Sequence, residues 1–200
     1  AFFERITSVV VTLETGEIAE DIDPEIFDQR KAQKDPATSQ VAPDNNAGIN
    51  RIPDHAVVFQ VFDDQNALDM VILPVEGYGL WGTLYGFIAL SSDFQTVRGL
   101  TYYEHKETPG LGGEVDNPRW KGLWPGRKIF GEDGMPEIEV IKGAAGPVAD
   151  APYEVDGLSG ATITSRGITN MLHFWLGEQG FGAYLDKLRA STESTQRRAA

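Results

Sequence analysis

Four strand-like segments follow one another in the middle of the chain with no helix between them, and this run constrains the fold more than any other feature. Each segment is rich in β-branched and aromatic residues, and polar or glycine-containing turns separate them. They are residues 56–63, 68–75, 83–91 and 96–105. Strands joined by short turns pair antiparallel, because a parallel connection needs a crossover of a dozen or more residues. The first two segments, joined by the turn DDQN, therefore predict a β-hairpin.

The end of the chain has the periodicity of helices rather than strands. Its apolar residues recur at helical spacing in two sets, before and after a break at Gly177–Gly180. The two sets are Ile168, Met171, Leu172 and Trp175, then Phe181, Tyr184, Leu185 and Leu188. We therefore predict an α+β fold, a mainly antiparallel twisted sheet flanked by helices, with the C-terminal helices packing on the sheet.

The composition changes near residue 55 and again near residue 190. We accordingly divide the chain into an N-terminal segment, 1–54, a domain, 55–190, and a frayed tail, 191–200. Residues 136–143 predict a further strand, and the glycine-rich residues 143–158 predict a loop.

The N-terminal segment has a mixed pattern. Residues 6–13 fit a strand or a short helix, and their periodicity does not decide between the two. Residues 24–35 predict a short helix with Pro24 at its first position. Residues 35–54 are rich in Pro, Asn, Asp and Gly, and we expect a long loop there.

Composition and charge exclude several classes of protein. Among 200 residues, 41% are hydrophobic, which excludes disorder throughout, and the net charge of −13 argues against binding of nucleic acid or a polybasic membrane anchor. The chain has no cysteine, so disulfides, thiolate nucleophiles and iron–sulfur clusters are excluded. Because His55, His105 and His173 lie far apart in sequence, we predict no metal site and treat the three as structural.

The run DGLSGAT, residues 156–162, immediately precedes a predicted helix over 163–176. The first N–H groups of a helix lack intrahelical partners, and the helix dipole places positive charge there, so this position favours an anion. A second interpretation stays open, in which Ser or Thr simply caps the helix.

The run ETPGLGG, residues 107–113, is the other unusual stretch. Its glycines let the backbone approach a planar ligand closely. It does not match the dinucleotide-binding pattern of glycines, and no β-α-β unit surrounds it. A glycine-rich turn between a strand and a helix remains the alternative.

Taken together, the runs D-x-x-S-G-A-T and E-T-P-G-L-G resemble the two signatures of the FMN-binding domain family. The resemblance implies that a flavin transferase links FMN through its phosphate to the hydroxyl of Thr162. It implies that the transferase recognises Asp156, Ser159, Gly160 and Ala161. It further implies cofactor contacts, which are Glu107, Thr108, Leu111, Gly112, Ser159, Gly160 and Ala161.

Two further residues are candidate cofactor contacts, and we predict no catalytic residue. Trp81 could stack against the flavin ring, or it could be an ordinary core or surface aromatic residue. Lys142 could place positive charge near the ring, or be a solvated residue at a strand end. Trp120 and Trp124 are expected to be packing residues.

Longer stretches over about residues 55–190, such as DNPRWKGLWPG and FWLGEQGF, resemble the family of C subunits of sodium-translocating NADH:quinone reductases. That resemblance implies a protein that relays electrons between redox centres of a membrane complex and has no turnover of its own. The partners are then the other subunits, and the domain lies on the periplasmic side of the bacterial inner membrane. Two alternatives remain, an Rnf-type G subunit with the same cofactor and a non-redox assembly domain.

In one respect the chain departs from that family. Members of the family have one N-terminal transmembrane helix, and no stretch of this sequence is apolar enough to be one. We therefore expect a soluble or processed form that starts after the helix.

Overall fold

Five antiparallel strands form the main sheet of the protein in this computed structural model, which describes residues 5–199. The strands are β1 (Ile6–Thr12), β4 (His55–Phe62), β5 (Leu68–Tyr78), β6 (Thr83–Ser91) and β7 (Val97–Glu104). Their order in the sheet is β1-β4-β5-β6-β7, and every neighbouring pair is antiparallel. The four predicted strands and the hairpin are confirmed, and residues 6–13 form a strand rather than a helix.

One face of this sheet is buried and the other is half-exposed. In β6, Leu84, Gly86, Ile88 and Leu90 are buried, whereas Tyr85, Phe87 and Ala89, which alternate with them, are partly exposed. The burial alternates because successive side chains of a strand point to opposite faces. The buried face is therefore the one that the helices cover.

Two C-terminal helices, α3 (Thr162–Leu176) and α4 (Gly182–Ala199), complete the core. The Trp175 indole N–H donates a 2.7 Å hydrogen bond to the backbone oxygen of Glu76, and the Tyr102 hydroxyl lies 3.2 Å from Met171 Sδ. On α4, the Tyr184 hydroxyl accepts a hydrogen bond from the Gln60 side chain. The predicted α+β fold, with C-terminal helices packed on the sheet, is confirmed.

Helix α4 extends further than the apolar pattern indicates. It continues to Ala199, although the sequence predicts a frayed end from residue 191. The side chains described from Ser191 onward are exposed, and an exposed helical turn leaves no apolar periodicity in the sequence. Over residues 5–199, the structure contains no helix that is both long enough and apolar enough to cross a membrane.

The remaining elements are short. They are α1 (Gln29–Lys34), β2 (Ser39–Val41), β3 (Arg51–Pro53), a 3-10 helix (Gly112–Asp116), α2 (Pro118–Lys121), β8 (Glu139–Val140) and β9 (Glu154–Val155). Strands β2 and β3 pair antiparallel, and β8 and β9 pair parallel. The loop predicted over 35–54 therefore contains a small ribbon, and the loop predicted over 143–158 contains β9.

Two predicted elements are shorter in the structure, in each case because local hydrogen bonds replace the regular pattern. The helix expected over 24–35 begins only at Gln29, since Asp23 accepts hydrogen bonds from the backbone N–H groups of Glu25 and Phe27 and forms a turn. The strand expected over 136–143 is reduced to two residues. The N–H groups of Glu137 and Ile138 both donate to Ile129 O, so no regular ladder forms there.

The topology brings three parts of the chain to one end of the sheet. Strand β5 ends at Tyr78, β6 begins at Thr83 and β7 ends at Glu104, all on the same side of the ladder. The backbone of α3 lies close to this end, because a Cβ added at Gly167 would be only 2.3 Å from Tyr78 O. The loop before β6, the loop after β7 and the start of α3 therefore meet.

Candidate functional site

The buried carboxylate of Glu107 ties these three parts together. The Glu107 residue is only 5% exposed. Its Oε1 accepts a 3.0 Å hydrogen bond from the backbone N–H of Trp81, and its Oε2 accepts one of 3.3 Å from that of Leu80. The Thr164 hydroxyl, on α3, donates to Oε2 at 2.5 Å. The carboxylate thus faces protein donors and positions the loops, while its predicted contact with the cofactor stays a prediction.

We call the Glu107 carboxylate and its three hydrogen bonds the brace, and an apolar surface that is open to solvent lies beside it. Trp81 is 60% exposed and Leu111 is 43% exposed. The Trp81 indole N–H donates to Thr108 Oγ1 at 3.1 Å, and the backbone oxygen of Thr108 accepts from Leu111 N at 3.0 Å. We call Trp81, Thr108 and Leu111 the ledge. A large aromatic side chain that is exposed but hydrogen-bonded in place is suited to stack on a planar ligand.

Helix α3 begins without a side-chain cap. Its N-cap residue is Ala161, and its first turn has no acidic residue. Within the described residues, the N–H groups of Thr162, Ile163 and Thr164 donate to no acceptor. The Ser165 hydroxyl instead accepts a hydrogen bond from Leu158 N. The capping interpretation of the DGLSGAT run is therefore wrong, and the helix start keeps its free donors for an anion.

Only one of the three hydroxyls in the first turns of α3 is accessible. Thr164 and Ser165 are 1% and 4% exposed, whereas Thr162 is exposed. Just before the helix, Gly160 has φ +69°, a left-handed conformation that favours glycine. A Cβ at Gly160 would lie 3.0 Å from the Leu111 side chain, so the start of α3 borders the ledge.

A groove of about 810 Å³ runs along one face of α3, within the size range of ligand sites. Residues 139–144 form one wall, 156–160 lie at its end, and the helix contributes the other wall. The helical lining is Thr162, Ser165, Arg166, Thr169 and Asn170. The groove carries the cations Lys142 and Arg166 and the carboxylates Glu139 and Asp156.

Asp156 fixes the end of the groove through both its side chain and its backbone. Its Oδ1 accepts a 2.9 Å hydrogen bond from Ala145 N, and its backbone oxygen accepts one from the Trp120 indole. Trp120 and Trp124 pack edge to face in the core, as predicted. The Asp156 carboxylate is thus engaged in shaping the loop, while its recognition by a transferase stays a prediction.

The structure brings all the site residues predicted from the sequence into this one region, at different depths. The exposed ones are Trp81, Thr108, Leu111, Lys142, Ser159, Gly160 and Thr162. Gly112 and Ala161 lie behind them and are buried. A Cβ added at Gly112 would lie only 2.7 Å from both Glu107 Oε2 and Thr164 Oγ1, so this position has room only for glycine. Sequence reasoning missed Arg166 and the hydrogen bond between Thr164 and Glu107. The sequence did hold an indication of Arg166, since it follows Thr162 by four residues.

A comparison with known families identifies the class of this protein. Residues 79–177 match the FMN-binding domain family, a span that contains both signatures, the ledge and all of α3. The site has what such a ligand needs, because free N–H donors and two cations suit a phosphate and the ledge suits an aromatic ring.

Relatives over nearly the whole chain narrow this class to one family. The C subunit of the Na(+)-translocating NADH-quinone reductase of Pseudomonas aeruginosa is 50% identical over 191 residues, covering 94% of this chain and 73% of that protein. Its Vibrio alginolyticus counterpart is 46% identical over 190 residues, with the same two shares. The chain belongs to the family of Na(+)-translocating NADH-quinone reductase C subunits, which confirms the resemblance found in the sequence.

Solved structures agree with this assignment. The crystal structure of Shewanella oneidensis NqrC matches with a TM-score of 0.89 at 37% identity, over 94% of this chain and 86% of that one. The crystal structure of the corresponding protein from Parabacteroides distasonis matches with a TM-score of 0.67 at 31% identity, over 90% and 77% of the two chains. The similarity extends beyond the FMN-binding domain to the N-terminal elements.

Proposed function

We propose that this protein carries FMN joined through its phosphate to Thr162 and relays electrons within a Na⁺-translocating NADH-quinone reductase. The observation that carries the proposal is the exposed Thr162 hydroxyl on an uncapped helix start, beside the ledge. Bound FMN supplies reversible electron transfer, which the side chains of the protein lack.

The residues around Thr162 have separate tasks in this proposal. The N–H groups of Thr162, Ile163 and Thr164 donate to the phosphate, and the helix dipole stabilises the single negative charge of a phosphodiester by about 0.3–1 kcal/mol. Gly160 keeps the approach to the hydroxyl open. Ser159, exposed beside it, contributes a hydroxyl to the same subsite.

The ledge would hold the ring. Trp81 and Leu111 offer apolar surface to it, and Thr108 fixes the Trp81 indole. An offset aromatic stack contributes about 0.5–1.5 kcal/mol beyond the burial of area. Lys142, exposed on the opposite wall of the groove, supplies positive charge that favours a reduced, anionic cofactor.

Attachment requires one bond exchange at phosphorus. The Thr162 Oγ would form a bond to the phosphorus of an FMN donor, the bond from phosphorus to the donor's leaving group would break, and the hydroxyl proton would pass to that leaving group. The transferase that catalyses this step would recognise Asp156 and Ser159–Ala161. The net gain in mass is FMN minus water.

The test is expression with and without a flavin transferase, followed by intact mass measurement and peptide mapping. We expect the gain only with the transferase, and only on the peptide that contains Thr162. Thr162→Ala should abolish it, whereas the matched hydroxyl deletion Thr192→Ala, at an exposed threonine of α4 outside the groove, should leave the gain and its site unchanged. Covalent flavin retained in Thr162→Ala would overturn the assignment.

The electron-relay part needs a separate test in the whole complex. Membranes containing the complex with Thr162→Ala should lose NADH-dependent quinone reduction, while those with Thr192→Ala should retain it. In this proposal the partners are the other subunits and the transferase, and the domain works on the periplasmic side of the bacterial inner membrane. Unchanged quinone reduction in the Thr162→Ala complex would exclude the relay role.

A further inference from the structure

We propose that Arg166 is a positioning residue that clamps the phosphate on Thr162 from the second turn of α3. This inference rests on the proposed function, because it assigns a further residue to the same site. Neither family signature includes Arg166, which lies four residues after the last position of the D-x-x-S-G-A-T run.

Helix geometry places Arg166 over Thr162. Residues four apart lie on the same face of a helix, about 6 Å apart along its axis. Side chains of a helix lean toward its N-terminus, so a long side chain covers the preceding turn. Thr162 and Arg166 both line the groove, which is consistent with this shared face. The reach of an arginine spans the distance from the second turn to the helix start.

The Arg166 guanidinium is not committed to another group. It is exposed, and across residues 5–199 it forms neither an ion pair nor a side-chain hydrogen bond. Of the two carboxylates that line the groove, Asp156 is hydrogen-bonded to Ala145 N, and Glu139 lies at the β8 end. A planar guanidinium can bind two phosphate oxygens at once, which the point charge of a lysine cannot do.

The expected result is a phosphate held from three directions. The helix N–H groups donate from its base, Arg166 donates from the face of α3, and Lys142 adds charge from the opposite wall. Losing Arg166 would leave the link to Thr162 intact but let the phosphate and everything attached to it move. The effect should therefore be seen in the loaded protein and not in the unloaded one.

The test compares Arg166→Gln and Arg166→Lys with the wild type, each prepared with and without the transferase. Phosphorus NMR of the loaded protein should show a shifted resonance in Arg166→Gln and an intermediate one in Arg166→Lys. The stabilisation gained on loading, measured by urea unfolding of both forms, should fall about tenfold in the unfolding equilibrium constant in Arg166→Gln, or about 1.4 kcal/mol. Arg119→Gln, a change of an exposed cation on α2 outside the groove, is the matched control.

Each outcome decides the matter. If the Arg166→Gln resonance and loading gain equal those of the wild type while peptide mapping finds FMN on Thr162, the clamp is refuted and the proposed function stands. If the unloaded Arg166→Gln protein is destabilised as much as the loaded one, the role is structural and the clamp is again refuted. If the wild type gains no FMN on Thr162, the proposed function fails and the clamp falls with it.

Discussion

Glu107→Gln should loosen the site without changing its shape, because glutamine matches glutamate in size. The carboxylate accepts hydrogen bonds from Leu80 N, Trp81 N and the Thr164 hydroxyl. A glutamine side chain retains one acceptor oxygen and replaces the other with an NH₂ group. The Thr164 hydroxyl can rotate to accept from that group, but a backbone N–H cannot. At least one backbone donor therefore loses its partner.

The size of the loss follows from the burial of the brace. A buried donor left without a partner costs about 1–3 kcal/mol, and Glu107 is 5% exposed. We take about 2 kcal/mol as the central value. For a domain of this size each kcal/mol lowers Tm by about 2–4 °C, so Tm should fall by about 4–8 °C.

The assay is thermal and urea unfolding of the unloaded protein, with Glu132→Gln as the control because Glu132 is exposed. A double-mutant cycle with Thr164→Val should give a coupling energy of at least about 0.5 kcal/mol, since the two side chains are in direct contact. If Glu107→Gln behaves like the control, or if the cycle is additive, the reasoning that Glu107 braces the three segments is refuted.

Three further changes have directions fixed by the structure. Burial raises the pKa of Glu76, although a hydrogen bond from Gln33 and the charges of Arg30 and Lys34 act in the opposite direction, so ionisation of Glu76 opposes folding. Glu76→Gln should therefore increase the free energy of unfolding, measured by urea titration, more at pH 7 than at pH 4. Burial alone would raise the pKa of Asp93, but hydrogen bonds from Thr96 and Gln95 and the charge of Lys128 lower it below its ordinary value of about 3.8. Asp93→Asn should therefore destabilise the protein at pH 7, and this destabilisation should decrease as the pH falls below about 3.8. Gly157→Ala places a Cβ 2.1 Å from Ile141 O and should lower the free energy of unfolding by about 1–3 kcal/mol. Gly99→Ala, where an added Cβ would have no atom within 4 Å, should leave Tm unchanged.

The sheet could be predicted from the sequence because segments of strand-forming residues are separated by short turn segments. Residues 83–91 are rich in β-branched and aromatic residues between two turn segments, and β6 spans Thr83–Ser91. Helix α3 was expected to begin at residue 163 and begins at Thr162. Where local hydrogen bonds compete with the pattern, as at Asp23 and at Ile129, the predicted helix and strand are too long.

In the site, too, some features could be predicted from the sequence and others could not. The two signatures predict which residues gather at it, because each signature is contiguous in sequence. The brace could not be predicted, since Glu107 is 26 residues from Trp81 and 57 residues from Thr164, and only the fold brings the three together. The sequence could not show either that Ala161 rather than a hydroxyl residue occupies the N-cap position.

The geometry of α3 also explains why one threonine rather than another would carry the cofactor. Thr162 and Thr164 have the same hydroxyl and lie in the same turn, but residues two apart on a helix point about 200° away from each other. Thr164 therefore points inward, where it is 1% exposed and donates to Glu107, while Thr162 faces the groove. The orientation of Thr162 depends on Thr164, because the contact between Thr164 and Glu107 fixes the rotation of the helix start relative to the ledge. If FMN is attached as proposed, selectivity for Thr162 would thus arise from the register of the helix and not from the chemistry of the side chain.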